Sequence, residues 1–205
     1  MNVPFVTVSG RVIDLADPNP RDLVIGDIAH GLAHVCRFAG HLPMFYSVAE
    51  HSLLVMWILY ETPLRLHGLL HDASEAYLGD VSRYLKHSSF MDGYRILEHV
   101  MQGAIARAFK LPELSTAERH QLKVADNLAA VYERSCLRYR RRWDAQAAIS
   151  QAVADGFVPG PVDELLRAAD AIPGGSEMHL RPLSSTEVKD LFIESHDDCE
   201  SSRVP

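Results

Sequence analysis

The decapeptide HDASEAYLGD at residues 71–80 holds the densest group of side chains able to do metal or acid–base chemistry. On a helix of about 3.6 residues per turn, Glu75 lies one turn after both His71 and Asp72, so the three converge on one side. The apolar run at 64–70 favours burial, and buried charges are costly unless they are paired or bind a metal. An imidazole beside a carboxylate suits Zn, Mn, Fe or Co, and Glu75 could act as general base on a water.

Two further residues of this kind lie in apolar surroundings elsewhere in the chain. His51 stands in YSVAEHSLLV and Asp126 in KVADNLAAV. A lone histidine on an apolar face is more often a core residue, and residues 71–80 alone could equally be a helix whose polar side chains face solvent. An unpaired carboxylate in an apolar helix, however, needs a cation or a hydrogen-bond donor. Three predicted helices thus each supply a candidate ligand.

Helices are needed to bring these ligands together. Apolar periodicity and capping signals predict helices over about 25–37, 48–61, 63–79, 92–110, 115–136, 143–154 and 184–194. Ser47 with Glu50, and Ser184 with Glu187, have the spacing of capping boxes, and Thr62 before a proline predicts the start of the third helix.

The fold class is mostly α, with a short N-terminal β-hairpin. Residues 4–15 alternate between apolar and polar side chains around Ser9-Gly10, which predicts the hairpin. We expect a single domain over 1–195 and a disordered tail over 196–205, because the last residues are polar.

Composition narrows the class of protein. The chain has 205 residues, 47% of them hydrophobic and 23% charged, as is ordinary for one globular domain. No apolar run approaches the ~18 residues that cross a bilayer, the N-terminus lacks a signal-peptide pattern, and three scattered cysteines argue for a reducing compartment. We therefore expect a cytoplasmic protein with no membrane partner. A formal net charge of −7 disfavours nucleic-acid binding but allows a small phosphorylated substrate in a locally positive pocket.

The three motifs together resemble a known family. EHS at 50–52, HDASEAYLGD at 71–80 and KVADN at 123–127 follow the H…HD…D order of the HD-domain metal-dependent phosphohydrolases. The chain is similar in particular to the YfbR-like 5′-deoxynucleotidases and the related phage dATP triphosphohydrolases, in which HDASE also continues into GD and a nearby lysine. The resemblance covers residues from about 4 to 135 and implies an HD-domain helical bundle.

The resemblance also implies a metal site and catalytic residues. One divalent ion (Mn, Co, Zn, Fe or Mg) would be bound by His51, His71, Asp72 and Asp126. Four protein ligands leave room for water and substrate only if the ion takes five or six, which favours Mn, Co, Fe or a relaxed Zn over closed tetrahedral Zn. Glu75 matches the family's acid/base residue, and Asp80 matches a further acidic position at the substrate mouth.

Arg37, Phe38 and Lys86 are the substrate-binding candidates. In the family an Arg-Trp pair precedes the first ligand, its arginine meeting phosphate and its ring packing on deoxyribose, and Arg37-Phe38 stands at nearly that place. Because Phe38 lacks an indole N–H, selection against a 2′-hydroxyl would be steric. Arg37 could instead be a cation at the end of its helix, and Lys86 a solvated loop residue. Lys123 is a weaker phosphate candidate.

Other clusters have plainer explanations. His30 and His34, one turn apart, could bind a separate zinc ion, but no carboxylate stands beside them, so helix-surface or substrate-wall histidines are the alternative. The run RYRRRW at 138–143 could hold a polyphosphate or nucleic acid, or be a solvated patch or a subunit contact.

We predict a metal-dependent nucleotide phosphohydrolase, and specifically a 5′-deoxynucleotidase that releases phosphate from deoxynucleoside monophosphates. The alternative within the class is a deoxynucleoside triphosphate (dATP) triphosphohydrolase. The alternative from another class is a non-catalytic nucleotide-sensing HD module, which need not retain Glu75. The expected partners are a nucleotide substrate and further copies of the chain in a homo-oligomer, a dimer or higher.

Overall fold

An antiparallel hairpin begins the fold, as the sequence predicted. The structure is a computed structural model that describes residues 2–138, 144–155, 166–167 and 183–202. Strand β1 (Pro4–Val6) pairs with β2 (Val12–Asp14). The hairpin is fastened to the first helix because the Asp27 carboxylate accepts hydrogen bonds from the backbone N–H and the hydroxyl of Ser9, at 3.1 and 2.7 Å.

Helices make up most of the described chain, which confirms the predicted fold class. They are α1 (Ile25–His34), α2 (Val48–Ile58), α3 (Arg65–Leu70), α4 (Glu75–Leu78), α5 (Arg83–Lys86), α6 (Asp92–Ala108), α7 (Thr116–Glu133), α8 (Ala145–Ala154) and α9 (Ser185–Ser201). Short 3₁₀ turns occupy Pro20–Asp22, Arg37–Gly40 and Ser89–Met91, and a π-helical turn, Arg134–Arg138, follows α7. Within the described ranges no helix has both the length and the apolar character needed to cross a membrane.

Local capping signals predicted two helix starts correctly, those of α2 and α9. Ser47 caps α2 and Ser184 caps α9, each within a reciprocal capping box with the glutamate three residues later. Ser115 does the same for α7, with Glu118 as its partner. These motifs are satisfied by neighbours in sequence, so they need no knowledge of the tertiary fold.

The helix predicted over 63–79 is instead broken at the HD motif. Helix α3 ends at Leu70 and α4 begins at Glu75, so His71 and Asp72 lie in the turn between them. Hydrogen bonds that reach back only three residues tighten this turn, including Glu75 N–H to the Asp72 carbonyl at 2.9 Å. Thr62 is not the N-cap of α3, because the helix begins only at Arg65, after Leu64. The Thr62 hydroxyl donates to the Leu59 carbonyl at 2.8 Å and accepts from the Leu64 N–H at 3.2 Å, in the turn that precedes the helix.

The predicted disordered tail is wrong for residues 196–201. Helix α9 continues to Ser201, and its side chains at His196 and Cys199 are buried. The Phe109 ring packs edge-on against His196, with 5.3 Å between ring centroids, and Cys199 Sγ lies 3.9 Å from Met56 Sδ. The prediction failed because the segment is mostly polar, although the few side chains on one face of the helix are buried.

The main hydrophobic core lies beneath α1, α2, α3, α6 and α9, and a second cluster joins α2 to α7. Helix α3 approaches α2 closely at Gly68, where an added Cβ would lie 3.0 Å from Met56 Cα. Helix α1 approaches α4 at Gly31, where a Cβ would lie 2.9 Å from Ala76 Cβ. These contacts hold the two helices on either side of the HD turn, α3 against α2 and α4 against α1.

Candidate metal centre

His51, His71 and Asp72 form a group that could hold a metal ion. One ligand atom from each lies within 4.8 Å of the others, and no second such group of three occurs in the part of the chain that is described. The Asp72 Oδ2 atom lies 3.1 Å from His71 Nε2 and 3.7 Å from His51 Nε2. His51 comes from the middle of α2, and the other two from the turn after α3.

Asp126, from the middle of α7, faces the same group. Its Oδ1 atom lies 3.2 Å from His51 Nε2 and 3.9 Å from His71 Nε2. Its other oxygen accepts a hydrogen bond from Lys123, one turn earlier on α7. The four predicted ligands are therefore gathered with both Nε2 atoms facing carboxylate oxygens.

Both imidazoles are oriented through their Nδ1 atoms. His71 Nδ1 lies 2.8 Å from the Gly68 carbonyl, and since a carbonyl only accepts, this nitrogen carries the proton. His51 Nδ1 lies 2.7 Å from Glu133 Oε1. Among the described residues neither buried Nε2 atom has a hydrogen-bond partner, and the short approach to Asp126 lacks hydrogen-bond geometry. Two Nε2 atoms that face the carboxylates of Asp72 and Asp126 are a suitable set of ligand atoms for a divalent transition-metal ion.

Glu75 and Lys86 form the other side of the site. The Glu75 side chain is 3% exposed, and its Oε1 atom accepts a hydrogen bond from Lys86 Nζ at 3.2 Å. Lys86 also donates to Glu98 on α6 at 2.6 Å, so it is no solvated loop residue. Asp80 follows Gly79, which has the positive φ of 78° that glycine tolerates. Glu75, Asp80 and Lys86 interact electrostatically, and both acids also interact with Asp72.

The carboxyl groups differ in how the protein shifts their pKa values. Burial and then the charges of Asp72 and Asp80 raise the pKa of Glu75 to about 9, although Lys86 opposes this. Burial also raises the pKa of Asp80. For Asp72 and Asp126 burial acts in the same direction, but the imidazoles outweigh it and hold both pKa values well below their usual range.

Arg37 does not stand at the end of α1, which finishes at His34. It lies in the following 3₁₀ turn, where its Nε atom donates to Glu133 Oε2 at 3.1 Å and a terminal nitrogen lies 3.9 Å from Asp72 Oδ2. The guanidinium also lies 5.2 Å from the centre of the Phe38 ring. Phe38 has a left-handed φ of 56°, uncommon for a bulky side chain, which turns the chain away after Arg37.

Glu133 is the site residue that sequence reasoning missed. It is fully buried at the end of α7 and accepts hydrogen bonds from Arg37, from the Tyr46 hydroxyl at 3.2 Å and from His51 Nδ1. It stands seven residues after Asp126, two turns along the same helix face. That spacing, in a helix already holding one candidate ligand, was the available signal.

The remaining candidates lie apart from this centre or outside the described residues. His34 Nδ1 lies 2.8 Å from the His30 carbonyl and the two rings are 4.3 Å apart, but neither belongs to the metal group. The basic run at 138–143 lies outside the described residues, apart from the backbone of Arg138.

No family model matches the chain, but two bacterial proteins are similar to it. An uncharacterised protein of Rhodobacter capsulatus is 36% identical over 198 residues, covering 92% of this chain and 91% of that protein. The uncharacterised protein YfdR of Escherichia coli is 35% identical over 128 residues, covering 62% of this chain and 68% of that protein.

Proposed function

The chain belongs to the same family as these R. capsulatus and E. coli proteins, and we propose that it is a metal-dependent phosphohydrolase of (deoxy)nucleoside 5′-phosphates. The observation that carries the proposal is the convergence of two buried, unpartnered imidazole nitrogens and two carboxylates beside a buried glutamate and two cations. Release of phosphate from deoxynucleoside monophosphates is the reaction we favour, in keeping with the resemblance of the HDASEAYLGD motif to 5′-deoxynucleotidases.

The ligands would be His51, His71, Asp72 and Asp126, holding one divalent ion of Mn, Co, Zn, Fe or Mg. When bound, such an ion lowers the pKa of water and offsets charge on phosphoryl oxygens. The Gly68 carbonyl and the Glu133 carboxylate keep the two Nε2 lone pairs aimed at the site.

Glu75 would act as the acid/base residue. Its Oε2 atom is buried and has no hydrogen-bond partner among the described residues, so it is available to the proton of an attacking water. In the metal-free protein burial raises the pKa of Glu75, so the carboxylate form that accepts this proton would depend on the Lys86 ammonium together with the positive charge of a bound divalent ion. The proton is then returned to the leaving 5′-oxygen of the nucleoside, with Asp80 close by as a second acidic group.

Arg37 and Lys86 would contact the phosphate. Both are largely buried, with side-chain exposures of 11% and 19%, and each is already held by a carboxylate. A held cation loses little conformational freedom when it binds an anion. Phe38 would pack on the sugar, as the Arg37-Phe38 pair suggests by resemblance.

A phosphate-release screen tests the proposal. Mono-, di- and triphosphates of ribo- and deoxynucleosides are incubated with the metal-free protein, alone and with each of several divalent ions. We expect metal-dependent release of inorganic phosphate from deoxynucleoside monophosphates. Release of triphosphate from dATP would support the triphosphohydrolase instead. Metal and nucleotide binding without any hydrolysis would support the nucleotide-sensing module.

A further inference from the structure

The Glu133 carboxylate contacts both a predicted metal ligand, His51, and a predicted phosphate-binding residue, Arg37. We propose that Glu133 is a positioning residue that orients His51 and Arg37 through one carboxylate, so that affinity for metal and affinity for phosphate depend on the same side chain. This inference deepens the proposed function and rests on it.

The first link is to His51. The 2.7 Å contact between His51 Nδ1 and Glu133 Oε1 holds the proton on Nδ1, because a carboxylate accepts and does not donate. The Nε2 lone pair then faces Asp72 and Asp126. A carboxylate behind an imidazole also makes the imidazole a better metal ligand.

The second link is to Arg37, and it uses the other carboxylate oxygen. Arg37 Nε donates to Glu133 Oε2 at 3.1 Å, which leaves the two terminal nitrogens of the guanidinium for other partners. One of them lies 3.9 Å from Asp72, beyond hydrogen-bond distance but at the edge of the metal group. Glu133 thus presents the forked end of Arg37 to the place where an oxyanion would meet the metal.

Burial separates this arrangement from a surface ion pair. The Glu133 side chain is fully buried, and Arg37 and Tyr46 are also buried or nearly so. Its third hydrogen bond, from the Tyr46 hydroxyl to Oε1 at 3.2 Å, restrains the carboxylate further. A purely structural role, joining α7 to α2, is the alternative that an experiment must separate.

Glu133→Gln tests the double role. The amide offers one accepting oxygen and one donating nitrogen, whereas His51 Nδ1–H and Arg37 Nε–H both donate. The variant can therefore satisfy only one of them. With Co²⁺ alone as probe, we expect the dissociation constant to rise about 10–100-fold, as when the outer partner of a metal-bound histidine is removed. Inorganic phosphate should bind the Co²⁺-loaded variant more weakly than the Co²⁺-loaded parent. Glu133→Asp, which keeps both accepting oxygens, should recover part of each loss.

Two variants serve as controls. Glu50→Gln alters another buried glutamate, whose carboxylate accepts hydrogen bonds from Ser47, at the start of α2, and from the Leu183 N–H at 2.9 Å. Tyr46→Phe removes one hydrogen bond to Glu133 and leaves those of His51 and Arg37. Glu50→Gln should bind Co²⁺ as the parent does even where it lowers the unfolding temperature, and Tyr46→Phe should weaken Co²⁺ binding far less than Glu133→Gln.

A second readout needs neither metal nor nucleotide. In the metal-free protein with neutral imidazoles, the ¹⁵N shifts of His51 should show protonated Nδ1, and Glu133→Gln should move His51 toward a mixture of tautomers. If folded Glu133→Gln keeps the parent affinity for Co²⁺ and the parent His51 shifts, the inference is overturned. If the parent hydrolyses no nucleotide, the proposed function fails, while Co²⁺ affinity and ¹⁵N shifts still decide the role of Glu133.

Discussion

The two sides of the candidate site treat their carboxyl groups in opposite ways. Asp72 and Asp126 face the imidazoles of His51 and His71, and their pKa values are held low. Glu75 and Asp80 lie on the side of α4 and α5, and their pKa values are raised. All four groups are largely withdrawn from solvent, so burial alone does not separate them.

The neighbours make the difference. The neighbouring imidazoles favour the carboxylate form of Asp72 and Asp126 and lower their pKa values. The pKa of Glu75 is raised by burial and, in addition, by the negative charges of Asp72 and Asp80. One side is therefore suited to hold a cation and the other to hold or release a proton. Titratable groups whose environments push their pKa values apart are typical of acid–base sites.

The largest expected effect comes from Asp72→Asn on the cation-holding side. Removing this negative charge should lower metal affinity by more than the roughly 100-fold that loss of an outer partner produces, and activity should fall with it. Metal content after dialysis measures the loss. Asp190→Asn, an exposed aspartate beside Lys189, is the control and should keep the parent metal content. Full metal content in Asp72→Asn would remove Asp72 from the ligand set.

Glu75→Gln on the other side should separate metal binding from turnover. The variant keeps the size of the side chain but cannot accept a proton, so kcat should fall about 10²–10⁴-fold while metal content stays at the parent level. Steady-state kinetics and elemental analysis of the same preparation give both values. Loss of metal from Glu75→Gln would erase the distinction between the two sides.

Gly68→Ala should weaken the close contact between α3 and α2, which places the HD turn beside His51. An added Cβ would press on the backbone of Met56 at 3.0–3.1 Å, where a rigid helix cannot easily yield, so we expect a loss of about 1–3 kcal/mol in unfolding free energy. Gly93→Ala is the matched control, since a Cβ there meets nothing within 4 Å on α6. It should be neutral or stabilising by up to about 1 kcal/mol. Equal urea midpoints for the two variants would contradict this packing.

The most gradual effect concerns pH and the metal-free protein. Because the pKa of Glu75 is raised from 4.5 to about 9, the folded state keeps a proton through this range that the unfolded state has lost. Its contribution to stability is full below pH 4.5 and declines as pH rises toward 9. The slope from one group is at most about 1.4 kcal/mol per pH unit. Urea unfolding of parent and Glu75→Gln across this range isolates it, because the histidines titrate in both proteins, and identical slopes would count against a raised pKa.

The features of the fold that could be predicted from the sequence are those determined by residues close together in the chain. The hairpin around Ser9-Gly10 and the capping boxes at Ser47 and Ser184 depend on residues a few positions apart, and all three are present. The break after Leu70 could not be predicted from the sequence, because it is slight. His71 and Ser74 keep helical dihedral angles, and only hydrogen bonds such as Ala73 N–H to the Leu70 carbonyl and Glu75 N–H to the Asp72 carbonyl span three residues instead of four.

For the site too, the sequence predicted the residues that belong to motifs but not the contacts that depend on tertiary packing. Motif spacing brought His51, His71, Asp72 and Asp126 into one hypothesis, and the structure gathers them. The pairings of Lys86 with Glu98 and of Arg37 with Glu133 join different structural elements, 12 and 96 residues apart, and depend on how α6 and α7 pack. Glu133 carried no motif of its own, so only its position two turns beyond Asp126 could have pointed to it.

The most direct test of the central claim is anomalous X-ray scattering from crystals grown with Mn²⁺ or Co²⁺. We predict one strong peak about 2.0–2.2 Å from His51 Nε2, His71 Nε2 and an oxygen of each of Asp72 and Asp126, with Glu75 outside the coordination sphere. A peak at His30 and His34, or none at the four predicted ligands in crystals that contain the metal, would contradict the proposed centre.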